Sequence, residues 1–230
     1  MFQTTFFPIN VIYQLLDANQ SSIVISELKF IIMTKNRLEA FSDGMFAIII
    51  TLLILELEVP HLETNSAHDF FQSLKELVPK FLSFIFTFFL LSIFWVNHHS
   101  ILHKIEKVDT TLLWLNILFL FFSSLFPFIA AFIGDYPMNP FVVALYPLNM
   151  LFAGLVLRKF WKYAFIDTNL ASNNLSENEK KHELRKHGVA SFINLLLIIL
   201  TFIWLPLTLA IIMLMPLFFV VPDLIKKSKL

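Results

Sequence analysis

RLEAFSDGMFAIIITLLILELEVP, residues 37–60, is a segment of membrane-spanning length that begins with charged and polar side chains. Its first two turns carry Arg37, Glu39, Ser42 and Asp43, and the remainder is almost wholly apolar up to Glu56. An ionisable group inside a transmembrane helix is costly and usually has a partner or a function. The segment therefore predicts a spanning helix whose first turns make polar contacts with other helices.

The composition of the whole chain is that of an integral membrane protein. Of its 230 residues, 57% are hydrophobic and 15% are charged, whereas a soluble domain is about 45–50% apolar and about 25% charged. The net charge of zero gives no indication of a nucleic-acid partner. The absence of cysteine excludes disulfides and thiolate metal sites. We expect no metal and no cofactor, because glycine-rich phosphate loops and metal-ligand motifs are also absent.

Apolar runs of about 20 residues mark spanning helices. They predict an all-α membrane protein of six transmembrane helices per subunit, at about 38–59, 80–101, 111–134, 140–163, 188–204 and 206–223. The last two are the least separated, because no charged linker interrupts the chain from Gly188 to Val221. A tight hairpin at Pro206 gives two short spans, and a proline kink in one long tilted helix is the alternative.

The distribution of basic residues favours six helices. With six spans, all but Lys75 and Lys80 of the 17 Lys and Arg residues lie on one side of the membrane. Basic residues collect in cytoplasmic loops, so we place the protein in the cell membrane with both termini in the cytoplasm. Residues 164–187 are then the main cytoplasmic loop, in which the charged run from Ser176 to Lys186 predicts a solvated surface helix. Residues 227–230 are a basic cytoplasmic tail.

The segment before the first strong helix is less easily assigned. Residues 1–33 contain apolar pieces interrupted by polar residues, and they make a poor signal peptide. We interpret them as an N-terminal extension, either flexible or a misassigned start with Met33 as the true first residue. The six-helix membrane domain then covers residues 34–226.

Polar side chains from three helices are expected at one depth in the inner leaflet. Asp43 on the first helix, Trp95 with His98 or His99 on the second, and Asn116 on the third all fall near that level. Lipid cannot satisfy their donors and acceptors, so we predict an interhelical network. The network can be purely structural, or it can titrate through histidine. Adjacent histidines point about 100° apart on a helix, which disfavours metal binding.

An apolar stripe lies on the first helix, on roughly the opposite side from Asp43. Ile48, Leu52 and Leu55 follow the spacing i, i+4, i+7, and Thr51 lies beside them. Arg37, Phe41 and Gly44 continue this face inward, and Glu56 and Glu58 make its outer end acidic. The stripe can face lipid or another helix, or it can be a pore wall that gates by dewetting.

Three stretches of the chain resemble the sequences of a known family. The spacing of Arg37, Phe41, Ser42 and Asp43 resembles the R-x-x-x-F-S-D signature of the bacterial transmembrane protein 175 family of potassium channels. FWVNHHSILHKIEKVDTTLLWLNILFLFFSSLFPF, residues 94–128, resembles the second and third helices of that family. ALYPLNMLFAGLVL, residues 144–157, resembles the fourth, so the similarity covers about 35–225.

The resemblance implies a homotetramer whose first helices line a pore without an ordinary potassium-channel filter. It implies a pore constriction at Ile48, Leu52 and Leu55, and a contribution of Thr51 to selectivity for potassium ions. It also implies that polar residues hold the pore helix against its neighbours. These supporting residues are Arg37, Phe41, Ser42, Asp43, Trp95, His98, His99 and Asn116.

We therefore predict a passive, potassium-preferring cation channel that is not an enzyme, with potassium ions, copies of itself and the lipid bilayer as its partners. The alternative is a proton-conducting or proton-coupled transporter that uses Asp43 and His98. An intramembrane enzyme is disfavoured, because the polar cluster has no cysteine, no second buried carboxylate and no serine–lysine pair. A structural protein without conduction is separated from a channel only by a flux measurement.

Overall fold

Seven α-helices make up the described part of the chain. The computed structural model describes residues 34–60, 62, 64, 66–168, 170–171 and 175–227. The predicted extension 1–33, with the start assigned to Met33, and most of the basic tail lie outside these residues. The helices are α1 Lys35–Leu52, α2 Ala67–His103, α3 Thr110–Ser124, α4 Phe126–Asp135, α5 Pro140–Lys162, α6 Glu177–Ile203 and α7 Leu205–Lys227.

The all-helical class is confirmed, and five segments are long and apolar enough to cross a membrane. They are Lys35–Glu56, Ala67–His103, Thr110–Asp135, Pro140–Asp167 and Glu177–Ile203. Leu205–Pro216 of α7 is apolar but shorter than these five segments. The sixth span therefore stays a prediction.

Local capping explains why two helices begin earlier in the chain than the hydropathy pattern predicts. The side chain of Ser66 accepts a hydrogen bond from the backbone N–H of Asp69, so α2 begins at Ala67 and runs through Pro79. Ser176 and Glu179 form a reciprocal capping box at the start of α6. The charged run from Ser176 to Lys186 was predicted as a separate surface helix, and it is instead the first part of this long helix.

Proline and non-helical backbone divide two other segments. The third predicted span, 111–134, is broken at Leu125, because Pro127 in the first turn of α4 has no N–H to continue the helix of α3. Between α6 and α7, Trp204 has a non-helical conformation, with φ −148° and ψ 80°. The chain therefore breaks there and does not form one long continuous helix.

The core lies between α2, α3, α4 and α5. Its centre is Tyr146 on α5, whose ring packs 4.7 Å from that of Phe86 on α2 and 5.3 Å from that of Phe126 on α4. The Tyr146 hydroxyl donates to Thr87 Oγ1 at 3.3 Å, and Asn149 Nδ2 donates to the carbonyl of Phe122 at 2.9 Å. This core supports α1, which packs on α2, α3 and α4 from one side.

The segments that follow α2 and α5 are joined by a second cluster. The backbone N–H groups of Glu106 and Lys107 donate to the carbonyl of Leu170, and a single antiparallel bridge joins Ile105 to Ala171. The ring of Trp161 stacks 3.9 Å from that of Phe165. The predicted cytoplasmic loop 164–187 is therefore shorter than expected, because a π-helical turn at Tyr163–Asp167 extends α5 into it and α6 begins at Glu177.

Candidate functional site

One side of α1 is anchored in the protein and the opposite side is open. Leu38, Phe46 and Ile49 are buried, and Leu53 anchors the short 3-10 turn Leu53–Glu56 that follows α1. With the buried Ser42 these residues have the spacing i, i+4, i+8, i+11 and i+15, which is typical of a helix that packs on one face only. The rotation of α1 about its axis is therefore set by its buried side.

The apolar stripe predicted from the sequence lies on the open side. Ile48, Leu52 and Leu55 have exposed fractions of 56%, 44% and 71% in the single subunit. Phe41 is also exposed, and a Cβ atom added at Gly44 would meet no atom within 4 Å. The open side is thus a continuous surface of apolar and small residues along the whole length of α1.

Two polar residues of α1 share this open side. Arg37 lies exposed in the first turn of α1. Thr51 is exposed between the apolar residues, and its hydroxyl donates within the helix, to the carbonyl oxygens of Ala47 at 2.8 Å and Ile48 at 3.0 Å. A hydroxyl oxygen has two lone pairs, so the Thr51 oxygen can still accept from water or contact a cation.

The network predicted as one layer is divided into two groups. In the buried group, Asn116 Nδ2 donates to Ser42 Oγ at 2.9 Å, and Asn116 Oδ1 lies 2.7 Å from His98 Nε2. Ser42, His98 and Asn116 are all buried, and the Ser42 hydroxyl also donates to the carbonyl of Leu38 at 2.8 Å. This group joins α1, α2 and α3 through side-chain hydrogen bonds.

Aromatic rings enclose the histidine of the buried group. The His98 ring stacks on Phe119 with centroids 5.0 Å apart, and it lies 5.9 Å from both Phe46 and Phe160. His98 Nδ1 is buried and has no hydrogen-bond partner among the described residues. His98 is therefore a packed core residue with one polar contact.

The second group is half-exposed and contains the aspartate. Trp95 Nε1 donates to Asp43 Oδ1 at 2.8 Å, and His99 Nδ1 lies 3.8 Å from the same oxygen. Among the described residues, Asp43 contacts Trp95 and His99 but not Asn116, so the layer predicted from the sequence contains two separate groups. The physical reason is helix rotation: consecutive residues point about 100° apart, so Ser42 and Asp43 face different neighbours, as do His98 and His99.

The C-terminal end of the α1 segment has an ionic contact that the sequence pattern did not reveal. Lys80 Nζ lies 2.8 Å from Asp135 on α4 and 3.9 Å from Glu58, which follows the 3-10 turn. Gly134 allows this approach, because a Cβ atom there would lie 3.0 Å from Lys80 Cγ and 3.1 Å from Lys80 Cα. Glu58 was predicted as an acidic residue of the outer mouth, and Lys80 partly balances it.

The N-terminal end of α1 is also bonded to α2. Lys35 Nζ donates to the carbonyl of His103, the last residue of α2, at 3.0 Å, and lies 3.6 Å from Glu39. A cation near a helix C-terminus is favoured by the helix dipole. In the described ranges, no group of three or more His, Cys, Asp or Glu side chains is arranged to hold a metal ion.

Comparison with known proteins places this architecture in a family. The family model for the endosomal/lysosomal potassium channel TMEM175 matches residues 37–127, which include most of α1 and all of α2 and α3. A potassium channel of Chamaesiphon minutus is 33% identical over 151 residues, which are 64% of this chain and 72% of that protein. The chain belongs to the TMEM175 family. The sequence-based assignment to this family is thus confirmed.

Other members of the TMEM175 family are similar over part of their length. A potassium channel of Chryseobacterium sp. strain P1-3 is 42% identical over 125 residues, 54% of this chain and 61% of that protein. The chain thus spans about three fifths of the Chryseobacterium protein. The endosomal/lysosomal proton channel TMEM175 of Gallus gallus is 24% identical over 67% of this chain and 30% of its own length.

Solved structures of TMEM175 proteins have the same fold. The crystal structure of a lysosomal potassium-selective channel TMEM175 homolog from Chamaesiphon minutus matches with a TM-score of 0.72 and 28% identity. The match covers 82% of this chain and 97% of that one. A variant of the potassium channel MtTMEM175 matches with a TM-score of 0.53 at 22% identity, which supports the fold alone.

Proposed function

We propose that this chain is one subunit of a homotetrameric, potassium-preferring cation channel in the cell membrane. The open side of α1 is the observation that carries the proposal, together with the potassium-channel names of the bacterial relatives. Four copies of α1 would surround a central pore, with six spanning helices per subunit and both termini in the cytoplasm. Conduction would be passive, down the electrochemical gradient.

The half-exposed Asp43 indicates that this region of the subunit lies beside protein or water and not beside lipid. Asp43 lies two turns inside α1, and it keeps part of its surface open beside Trp95 and His99. A charged carboxylate at that depth is strongly disfavoured in contact with lipid chains. An assembly that covers Asp43 with another subunit or with water removes this cost, and an isolated subunit in lipid does not.

The three exposed apolar residues are suited to a hydrophobic constriction. Ile48, Leu52 and Leu55, repeated in four subunits, would form successive apolar rings that exclude water when the pore is narrow. Thr51 lies between them and would offer its oxygen to a partly dehydrated potassium ion. At the outer end, Glu56 and Glu58 would raise the local concentration of cations.

Proton conduction is the second candidate, because the animal relatives are named proton channels. The arrangement of the polar residues favours it less. Asp43 contacts Trp95 and His99, whereas His98 is enclosed by aromatic rings and bound to Asn116. A relay that passes from Asp43 to His98 would need a contact that these side chains do not make.

Ion flux from the purified protein in liposomes tests both candidates. We expect a potassium gradient to drive flux without a proton gradient, and we expect smaller flux of sodium. Leu52→Ala should raise the potassium flux, because it widens and wets an apolar ring. Leu195→Ala on α6 is the matched control, since its side chain has the same chemistry and an exposed fraction of 46% against 44% for Leu52.

The control variant should leave potassium flux unchanged. Equal effects of Leu52→Ala and Leu195→Ala, or no effect of either in an assembled protein, would contradict the pore assignment of α1. Flux of protons without potassium would favour the second candidate. Absence of any ion flux would favour a structural protein.

A further inference from the structure

The uncharged parts of α5 and α6 end at the same level of the fold. α5 carries no Asp, Glu, Lys or Arg from its first residue, Pro140, up to Arg158. α6 carries none after Lys186, up to its last residue, Ile203. The two helices pack together with Arg158 beside Gly188. Charged groups belong at the membrane surface and not in the hydrocarbon core, so one surface of the membrane passes close to this contact.

Gly188 leaves room for the guanidinium of Arg158 on the surface of α6. A Cβ atom added at Gly188 would lie 3.7 Å from Arg158 Nε and 3.9 Å from Arg158 Cζ. Arg185 lies one turn before Gly188 and points within about 60° of it, so its side chain begins beside the same guanidinium. Both arginine side chains are exposed.

The acidic side chains near this contact already have other partners. Within the described ranges, neither Arg158 nor Arg185 makes an ion pair, although all four acidic residues of the segment 163–187 make ionic or hydrogen-bonding contacts. Two like charges close together repel each other, and an anion bound between them would remove this repulsion. The contacts of the acidic residues join Asp167 to Lys162 at 3.2 Å, Glu177 to Lys180 at 2.9 Å, Glu183 to Lys186 at 2.7 Å and Glu179 to Ser176 at 2.8 Å.

An apolar stripe continues from the two arginines along α6. Phe192, Leu195 and Ile199 have exposed fractions of 59%, 46% and 53%, and they lie with Gly188 and Arg185 within an arc of about 80°. A phospholipid has the same order of groups, with a charged phosphate at the membrane surface and acyl chains below it. A free phosphate ion would use only the basic end of this surface.

We propose that Arg158 and Arg185 bind the headgroup of an anionic phospholipid whose acyl chain lies along Phe192 and Leu195. Basic surfaces between transmembrane helices are typical sites for anionic headgroups, and the planar guanidinium matches the geometry of a phosphate. A lipid is the occupant because its charge complements the two arginines and its acyl chain complements the stripe. This inference needs α5 and α6 in a membrane, and it does not depend on the pore.

Native mass spectrometry of the purified full-length protein in detergent tests the site. The protein is titrated with phosphatidylglycerol or with phosphatidylcholine of identical acyl chains, and we expect half-saturation with phosphatidylglycerol at a concentration about tenfold lower. Arg158→Gln should raise that concentration about tenfold, because it removes charged hydrogen bonds to the phosphate. Lys159→Gln is the matched control: Lys159 is also exposed, makes no ion pair among the described residues and points about 100° away.

The control should leave phosphatidylglycerol binding unchanged, and a second arginine variant should reproduce the loss. Arg185→Gln is expected to weaken binding as Arg158→Gln does. The double variant should bind phosphatidylglycerol no better than phosphatidylcholine, because both arginines act on one headgroup. Equal effects of Arg158→Gln and Lys159→Gln would indicate a general basic surface and overturn the site. The same affinity of the unmodified protein for the two lipids would also overturn it.

Two further measurements separate a lipid site from a site for a free anion. Inorganic phosphate in large excess should fail to displace phosphatidylglycerol. Leu195→Ser should weaken lipid binding by about threefold, because it removes apolar contact with the acyl chain. Leu196→Ser is its matched control, since Leu196 is 48% exposed and points about 100° away. Displacement by inorganic phosphate, or equal effects of the two serine variants, would overturn the proposed lipid.

Discussion

Replacement of Asn116 by leucine should destabilise the protein more than the same change at another buried asparagine. Asn116 links α3 to both neighbours: its Nδ2 donates to Ser42 at 2.9 Å and its Oδ1 lies 2.7 Å from His98 Nε2. Asn116→Leu keeps a similar volume and removes both contacts. Because His98 Nδ1 already lacks a partner among the described side chains, the variant would leave both ring nitrogens of His98 unpaired.

The expected loss follows from the number of bonds. Interhelical hydrogen bonds in membranes contribute about 0.6–2 kcal/mol each, so two of them give about 1–4 kcal/mol. Ser42 limits the cost on its side, since its hydroxyl retains the bond to the carbonyl of Leu38. Asn149→Leu is the matched control, because Asn149 is buried on α5 and makes one bond, from its Nδ2 to the carbonyl of Phe122 at 2.9 Å.

The free energy of unfolding in mixed micelles measures the difference. The purified variants would be titrated with sodium dodecyl sulfate and followed by circular dichroism and tryptophan fluorescence. We expect Asn116→Leu to lose about twice as much free energy as Asn149→Leu, following the ratio of two bonds to one. If the two variants lose the same amount, or if Asn116→Leu is as stable as the unmodified protein, then the buried group does not hold the three helices together.

Two matched pairs of variants test the outer end of α1. Lys80→Gln should raise potassium conductance at low salt by about twofold, because it removes a positive charge near the pore mouth. Asp135→Asn should lower the conductance, because it removes a negative charge there. Both effects should disappear near 1 M salt, where the screening length is about 3 Å. Changes of the same sign at low salt would instead indicate that the ion pair acts only by holding the helices. Gly134→Ala should lower the free energy of unfolding by about 1–3 kcal/mol, because the new Cβ atom would lie 3.1 Å from Lys80 Cα. Gly44→Ala should not lower it, because a Cβ atom there would have no other atom within 4 Å. Equal free energies of unfolding for the two alanine variants would contradict the close approach of α4 to α2.

Much of the fold could be predicted because the membrane imposes a simple rule on sequence. Apolar runs of spanning length located α1, α5 and the segment made of α3 and α4. They also located the apolar parts of α2, α6 and α7. The first predicted span, 38–59, agrees with α1 and its 3-10 turn, although the helix begins at Lys35 and the turn ends at Glu56. The boundaries that hydropathy misplaced are those of α2 and α6, where polar caps start the helix outside the apolar run.

The candidate site was predicted by residue type more accurately than by contact. The sequence pattern singled out Ser42, Asp43, His98, His99 and Asn116, and all of them lie where α1, α2 and α3 meet. Their pairing could not be predicted, because it depends on the rotation of each helix and neighbouring residues point about 100° apart. The pore residues are placed on the open side of α1, and their role stays a prediction until flux is measured.

The sequence by itself determined that this is a helical membrane protein of the TMEM175 family with polar residues in the N-terminal turns of its first helix. Composition and spacing suffice for this, because lipid tolerates few polar side chains and the period of a helix is constant. Only the tertiary structure separated the buried Ser42, His98 and Asn116 from the half-exposed Asp43, and brought Lys80 to Asp135. Such contacts join helices distant in the chain, so they depend on how the helices pack and not on the pattern within any one of them.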